Sequence, residues 1–477
     1  MFDSDVHDRG VEAANRWLTA LLVGSAVGVY LLIAVGATTA LLRRPGTCAT
    51  WPACNGAWLP QQADPALLAA WAHRAGSLVI GLLLLATLWH AVQTGRSRRI
   101  RAGIAAAVLL YPLQIGIGAV IVGGASSTAD SAAHLILALA IFGAICLALL
   151  WHLEAGHPAT TPPSTSSNTE GDPSARQPSI EAAPDPTPPR PGERVRGYIR
   201  LTKPKLWWLL CLVALAAMGL AAGRRLEIET IIATSVGGVL AIAAAGTFNH
   251  VLERDLDRQM ARTADRPLVD GVIPARNAVA FGVALSGASI AVFLAFVNVL
   301  ATALAILAIL FYAIGYTLVL KPNTSQNTVL GGAVGAFPAL IGWAAVENTV
   351  GIPAIVLGAV IFLWTPAHFY NLALAYRDDY ARAGIPMLPV VSGGAVTRRH
   401  ILLYLAATMA GAVLLGTTTT LGWVYAVSTT VVGAVFLVAV VGLHRQQSDS
   451  AAMRAFHASN AYLGILLVTL IVDTLAI

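Results

Sequence analysis

The sequence predicts an all-α, polytopic membrane protein in which a four-helix N-terminal bundle precedes a nine-helix transmembrane bundle. Three observations carry that expectation. Of 477 residues, 57% are hydrophobic and only 11% charged, where a soluble globular chain carries roughly a quarter. Thirteen stretches are apolar enough, and about long enough, to cross a bilayer core, which takes ~20 helical residues each. Between Gly156 and Arg194 the chain turns to Pro, Ser, Thr and Asp with almost no apolar residue larger than Ala. Such a segment buries too little surface to offset its ordering entropy, and a disordered linker is expected there. The chain thus divides into 1–155, 156–194 and 195–477.

The first four spans fall near 17–42, 67–90, 102–123 and 129–152. The opening MFDSDVHDRGVEAANRW has mixed charge, and the span after it is too long for a signal peptide, so it is expected to stay as an anchor. Nine more follow near 206–222, 228–248, 278–297, 300–320, 329–346, 352–375, 401–417, 420–443 and 458–477. The net charge of +6 sits in short loops rather than on one face. That pattern speaks against a nucleic-acid partner and for the positive-inside rule. Arg96, Arg98, Arg99 and Arg101 lie in register with Arg254, Arg258, Arg262, Arg266 and Arg276, and with Arg377, Arg382, Arg398 and Arg399. All should face the cytoplasm from a cell membrane, although Arg43, Arg44, Arg224 and Arg225 run against the rule.

After the sixth span the chain reads NHVLERDLDRQMARTADRP, residues 249–267. Asn249, Glu253 and Asp257 recur every four residues and share one face of a continuing helix, with Asp255 close by. Oxygen ligands at a membrane boundary suit Mg²⁺, which takes carboxylates plus substrate phosphate. The competing reading is a solvated, charged helix end. A second polar loop, AYRDDYARAGIPMLPV, places Asp378 and Asp379 at the same predicted membrane face. Two carboxylate clusters could hold metal ions that bridge a diphosphate. Arg262, Arg266 and Lys321 are the cations nearby, Lys321 being one of three lysines with Lys203 and Lys205. Setting the topology is the competing role for the two arginines.

The pattern Asn-x-x-x-acid-x-x-x-Asp with a downstream Arg-Thr-x-x-Arg-Pro resembles the first motif of the UbiA superfamily of intramembrane prenyltransferases. YTLVLKPNTSQNTVLGGAVGAFPALIGW (316–343), FLWTPAHFYNLALAYRDDY (362–380) and AGIPMLPV (383–390) are similar to the heme O synthases within it, and the likeness spans about 195–477. Glu253 stands where the superfamily usually has Asp. The resemblance implies nine helices around a cavity with the acidic loops at its cytoplasmic mouth. It also implies transfer of farnesyl from farnesyl diphosphate to a vinyl group of heme B with water addition, Mg²⁺-dependent and without a redox cofactor. Arg262, Arg266, Lys321, Tyr316, His368 and His250 become candidate substrate contacts. For His368 an interhelical hydrogen bond is the alternative. Gly331, Gly332, Gly335 and Ala336 are expected to allow close helix packing or leave room for the isoprenoid.

In the N-terminal part, TCATWPACNG holds Cys48 and Cys54 in an outer loop, where a disulfide can persist. His73 and His134 should lie at similar depth, as axial ligation of one heme requires, but His90 and His152 form a second level pair. The Cys loop, AHR at 72–74, PLQIGIGAVIV at 112–122 and AHLILA at 133–138 resemble one half of a heme A synthase. That likeness implies a heme-binding accessory unit using His73 and His134, and partners among heme A synthases or cytochrome oxidase assembly factors. Ala70 stands where that family usually has an acid. The remaining alternatives are a prenyltransferase acting on a quinone precursor or lipid, and a heme-binding membrane protein that is not a transferase.

Overall fold

A computed structural model describes residues 2–42, 48–59, 64–123, 127–156, 190–419 and 421–476. Thirteen of its helices are long and apolar enough to cross a membrane. They are α1 (Glu12–Ala40), α2 (Pro65–Gln93), α3 (Arg98–Val122), α4 (Thr128–Ala155), α5 (Pro191–Arg225), α6 (Ile228–Leu252), α7 (Ala275–Phe296), α8 (Val299–Asn323), α9 (Asn327–Glu347), α10 (Ile352–Ala375), α11 (Gly393–Thr417), α12 (Trp423–Gln446) and α13 (Asp449–Leu475). The chain is a multi-pass membrane protein. Several helices outrun the apolar stretch that announces them: α5 starts 15 residues ahead of the expected 206, at Pro191. Hydropathy registers only the apolar part of the span: the polar helical stretch Pro191–Leu201 precedes it and is set off from Trp207–Ala222 by a break at Thr202 and Lys203. Of the linker expected at 156–194, residues 157–189 lie outside the described residues, as do Arg43 and Arg44.

Local chemistry fixes the helix starts. The Asp64 side chain accepts from the amides of Ala66 (2.7 Å) and Leu67 (3.3 Å) at the head of α2. Ser127 and Asp130 form a reciprocal capping box on α4, and the Asn298 side chain accepts from the Ala301 amide of α8 at 2.8 Å. These contacts satisfy amides that a helix start leaves open.

The nine C-terminal helices form a closed ring, each packing on the next, with α13 returning to α5. Between apolar helices in lipid, close backbone approach supplies the attraction. A Cβ on Gly342 of α9 would run into the Ala214 backbone of α5, and one on Gly332 would lie 3.1 Å from the Phe362 carbonyl of α10. The N-terminal bundle is no separate body: α1 and α4 pack on α11 and α12. Leu18, Leu22, Tyr30 and Phe142 share one continuous core with Phe436, Tyr462 and Leu466.

Candidate active site

The site grows from the end of α6. Its regular turn stops at Leu252, but the Glu253 amide still donates to the Asn249 carbonyl (2.9 Å) and the Asp257 amide to the Glu253 carbonyl (2.8 Å). This continued ladder keeps Asn249, Glu253 and Asp257 on one face, 2%, 3% and 3% exposed. Asp255 is two residues, about 200°, around the helix. Its side chain is 75% exposed and pairs with Arg254 and Arg258, outside the cluster.

Three cations meet the buried face. Lys321 donates to Glu253 at 2.6 Å. Arg266 lies 2.5 Å from Asp257 and 3.8 Å from Glu253. Lys203, which composition alone had not marked, donates to the Asn249 side-chain oxygen and, at 2.9 Å, to the Tyr312 hydroxyl. Its backbone holds φ +52° ahead of Pro204, a left-handed conformation rare for a residue with a side chain. That kink turns the ammonium back over Gly246 toward the cluster. Burial pushes the Glu253 carboxyl up, but Lys321, Lys203 and Arg266 outweigh it and hold the group below the usual range. At Asp257 burial outweighs Arg266, and with the Glu253 charge alongside the carboxyl is raised.

The opposite wall comes from α8, whose stretch Phe311–Leu320 winds wider than an α-helix. The Lys321 amide donates to the Tyr316 carbonyl, five residues back, and such wide turns collect at functional sites. The extra residue brings Tyr312, Tyr316, Thr317 and Lys321 to the cluster. The Asn249 amide donates to Thr317 at 3.0 Å. Tyr316 lies within electrostatic reach of Glu253, Tyr380 and Arg262. Its ring needs Gly331, where a Cβ would stand 2.6 Å away.

The second acidic loop does meet the first, but through other side chains than its aspartates. Tyr376 and Tyr380, one helical turn apart, carry the Arg262 guanidinium at 5.2 and 5.7 Å from their ring centres. Arg262 also donates to the Tyr380 hydroxyl at 3.2 Å. Met260 packs with Ala373, Tyr380 and Met387 beneath them. Asp379 pairs with Arg382. Together with exposed Asp378 and with Tyr376 it lines a cavity of about 440 Å³ among Arg398, Ser448 and Asp449, to which residues 249–266 contribute nothing. Among the described residues, no three His, Cys, Asp or Glu side chains gather as a metal-holding group. The first cluster is two carboxylates and an amide.

His368 is buried, with Trp364 stacked on one face (4.3 Å) and Phe456 on the other (4.4 Å). The Ser459 hydroxyl donates its proton to the Phe456 carbonyl (2.6 Å), so the 2.7 Å contact with His368 Nδ1 needs the imidazole as donor. That leaves the lone pair on Nε2. His250 is buried beside the cluster, its Nδ1 without a hydrogen-bond partner. In the N-terminal bundle the partners separate two histidine pairs that depth alone could not. His90 bonds to the Ala14 carbonyl, and His152 to Thr19 and the Asn15 carbonyl. His73 and His134 each bond to backbone, at Leu32 and Gln114, but unlike the other pair both keep a buried, unpartnered Nδ1. They lie against glycines, where a Cβ on Gly36 or Gly118 would stand 2.9 or 3.1 Å away. Cys48 and Cys54 are joined in a disulfide, and Arg74 donates to four carbonyls of their loop.

A family model described as the UbiA prenyltransferase family matches residues 210–464. A protoheme IX farnesyltransferase of Haloarcula marismortui is 52% identical over 474 residues, 98% of this chain and all of that one. The chain belongs to the protoheme IX farnesyltransferases of the UbiA family. Within that family, protoheme IX farnesyltransferase 1 of Saccharopolyspora erythraea is 44% identical over 61% of this chain and 94% of its own. Most of that relative thus corresponds to under two-thirds of this chain. The UbiA fold itself is seen in a digeranylgeranylglyceryl phosphate synthase structure, with TM-score 0.51 and 17% identity over 60% of this chain and all of that one. A UbiA homolog of Archaeoglobus fulgidus was solved bound to DMAPP and Mg²⁺; it is 15% identical over 57% of this chain and 98% of its own, with TM-score 0.45.

Proposed function

We propose that the chain transfers the farnesyl group of farnesyl diphosphate to a vinyl group of heme B, with addition of water, releasing heme O and diphosphate. The observation that carries this reading is the convergence of Asn249, Glu253 and Asp257 with Lys203, Lys321 and Arg266 at one end of a closed apolar ring. The family membership fixes the substrate pair.

Lys203, Lys321, Arg266 and Arg262 bind the diphosphate oxygens, with contacts to a charged group stronger than neutral ones. Asn249, Glu253 and Asp257 offer only oxygen donors, all buried and each already facing a cation, and this set fits Mg²⁺. Mg²⁺ held there would supply positive charge for the leaving diphosphate as the bond to farnesyl breaks. The electron pair of that C–O bond departs with the diphosphate. The vinyl group then attacks the allylic cation, and water adds to the resulting porphyrin-stabilised cation and loses a proton. The apolar ring keeps bulk water from quenching the first cation. His368, with its Nε2 lone pair left over, contacts the heme. The arginine distribution supports a cytoplasmic position for the acidic mouth. We further propose that His73 and His134 bind a heme in the N-terminal bundle, on the strength of their unpartnered nitrogens.

The test supplies purified protein with Mg²⁺, farnesyl diphosphate and either heme B or a quinone precursor. Heme O, detected by mass, is expected only with heme B; prenylated quinone precursor without heme O would overturn the reading. A heme-type absorption spectrum lost in His73→Ala and His134→Ala tests the accessory site.

A further inference from the structure

The segment that opens α5 is charged out of proportion to the rest of the chain. Residues 190–205 carry Arg190, Arg194, Arg196, Arg200, Lys203 and Lys205 against one acid, Glu193. Arg200 is engaged by Asp265 at 2.8 Å and Lys203 by Asn249. Arg194 is exposed and pairs with no carboxylate among the described residues, and the same holds for Arg276 in the first turn of α7. In the helical stretch Pro191–Leu201, Gly197 and Leu201 face the protein: a Cβ on Gly197 would stand 3.0 Å from the Ile273 side chain, and Leu201 packs with Ile273 and Leu268. Val195 and Ile199, two positions from these, turn to the far side of the helix and are 60% and 52% exposed. With Tyr198, Thr202, Trp207 and Phe281 they line an apolar groove of about 410 Å³, within the ~300–1,000 Å³ of pockets that hold small molecules. Its walls are fixed: Tyr198 meets Phe281 edge to face at 4.9 Å, and Trp207 Nε1 donates to the Thr202 carbonyl at 2.8 Å. The groove has a polar end and an apolar end. Arg194 lies one helical turn ahead of Tyr198, and Asn277, beside Arg276, one turn ahead of Phe281. Trp207 opens the apolar helix Trp207–Ala222, and Phe281 lies within α7.

We propose that this groove holds one membrane phospholipid with an anionic headgroup, a hydrocarbon chain lying along Tyr198, Trp207 and Phe281 and the phosphate meeting Arg194 and Arg276. A basic helix with an apolar face is the form that binds the interface of anionic lipid, aromatic side chains are favoured at that depth, and a guanidinium matches the paired oxygens of a phosphate. A soluble peptide would have to reach a groove whose lower walls belong to membrane-crossing helices. The occupant also bears on the reaction. Thr202, one of the walls, directly precedes Lys203, whose left-handed backbone turns its ammonium toward Asn249. A lipid that braces Tyr198, Thr202 and Trp207 holds the break that places Lys203. This link to Lys203 rests on the prenyl-transfer reading above; the lipid site itself does not.

The test uses the full-length protein in neutral detergent micelles, to which phosphatidylglycerol or phosphatidylcholine is added. Native mass spectrometry should find one phosphatidylglycerol retained per chain and no matching retention of phosphatidylcholine. Arg194→Gln with Arg276→Gln should weaken retention about twentyfold, at about fivefold per arginine. Val195→Ser with Ile199→Ser should weaken it about tenfold through the apolar wall, and both variants should keep the wild-type unfolding midpoint. With farnesyl diphosphate and heme B supplied, phosphatidylglycerol should lower KM for farnesyl diphosphate about threefold in wild type and leave it unmoved in the arginine variant. An anionic surface by itself repels farnesyl diphosphate and raises KM, so a fall marks the site. Retention equal for the two lipids, or equal in wild type and both variants, would overturn the lipid site, as would mole-for-mole displacement of the lipid by farnesyl diphosphate. One lipid retained with KM unmoved would overturn the link to Lys203. Absent turnover with selective retention intact would tell against the prenyl-transfer reading and support the lipid site.

Discussion

Breaking the Lys321–Glu253 pair from the Glu253 side should cost more than removing the pair whole, and from the Lys321 side about as much. The two charges meet at 2.6 Å with side chains 14% and 4% exposed, and Arg266 stands 3.8 Å from the same carboxylate. At an effective dielectric of ~20 the attraction is about 6 kcal/mol, most of it consumed by desolvating the partners. Stranding one charge of a buried pair costs about 3–5 kcal/mol. Glu253→Gln should fall near 3 kcal/mol because it leaves Lys321 and Arg266 facing each other. Lys321→Met should fall near 2 kcal/mol, since Arg266 still serves the carboxylate. The double variant should lose about 2 kcal/mol in all, a coupling of about 3 kcal/mol. Equilibrium unfolding in mixed micelles measures the cycle, and all three variants should lose turnover by more than about a hundredfold. Stability losses that add within about 0.5 kcal/mol would refute a buried, mutually dependent charge cluster.

Further outcomes follow from single contacts. Ser459→Ala frees the His368 tautomer and should lower heme O formation about tenfold or more with the protein still folded, as changes to the orienting partners of a ligand do. Steady-state rates and an unshifted unfolding midpoint check it. Gly331→Ala drives a methyl into the Tyr316 ring, at a cost of about 1–3 kcal/mol, and should raise KM for farnesyl diphosphate; a thermal scan and substrate titration decide it. Removing Cys48 and Cys54 together should leave turnover within about twofold, because their loop belongs to the N-terminal bundle; a larger loss of heme O would show that the bundle serves the reaction.

The membrane architecture was legible because hydropathy and helix length are local properties, and all thirteen spans stand where apolar stretches announced them. The face carrying Asn249, Glu253 and Asp257 was equally legible from a spacing of four. What sequence spacing could not convey was where the chain returns. Lys203 lies 46 residues before Asn249 and reaches it through a left-handed kink that no composition betrays. Its scarcity as one of three lysines was the available signal, the same that marked Lys321. In the second loop the adjacent aspartates drew notice as charges, while Tyr376 and Tyr380, four apart, hold the face that meets Arg262. The wide turn of α8 likewise depends on packing against α6 and α9. Docking of the N-terminal bundle onto α11 and α12 joins two apolar surfaces that read as lipid-facing when each is taken alone.

The most direct test of the central claim compares wild type with Asp257→Ala in one detergent preparation, supplied with Mg²⁺, farnesyl diphosphate and heme B. Diphosphate release and heme O formation should both vanish in the variant, by more than about a thousandfold, while its unfolding midpoint shows a folded chain. Diphosphate released from a folded Asp257→Ala at the wild-type rate would mean that the cluster at the end of α6 does not ionise the substrate.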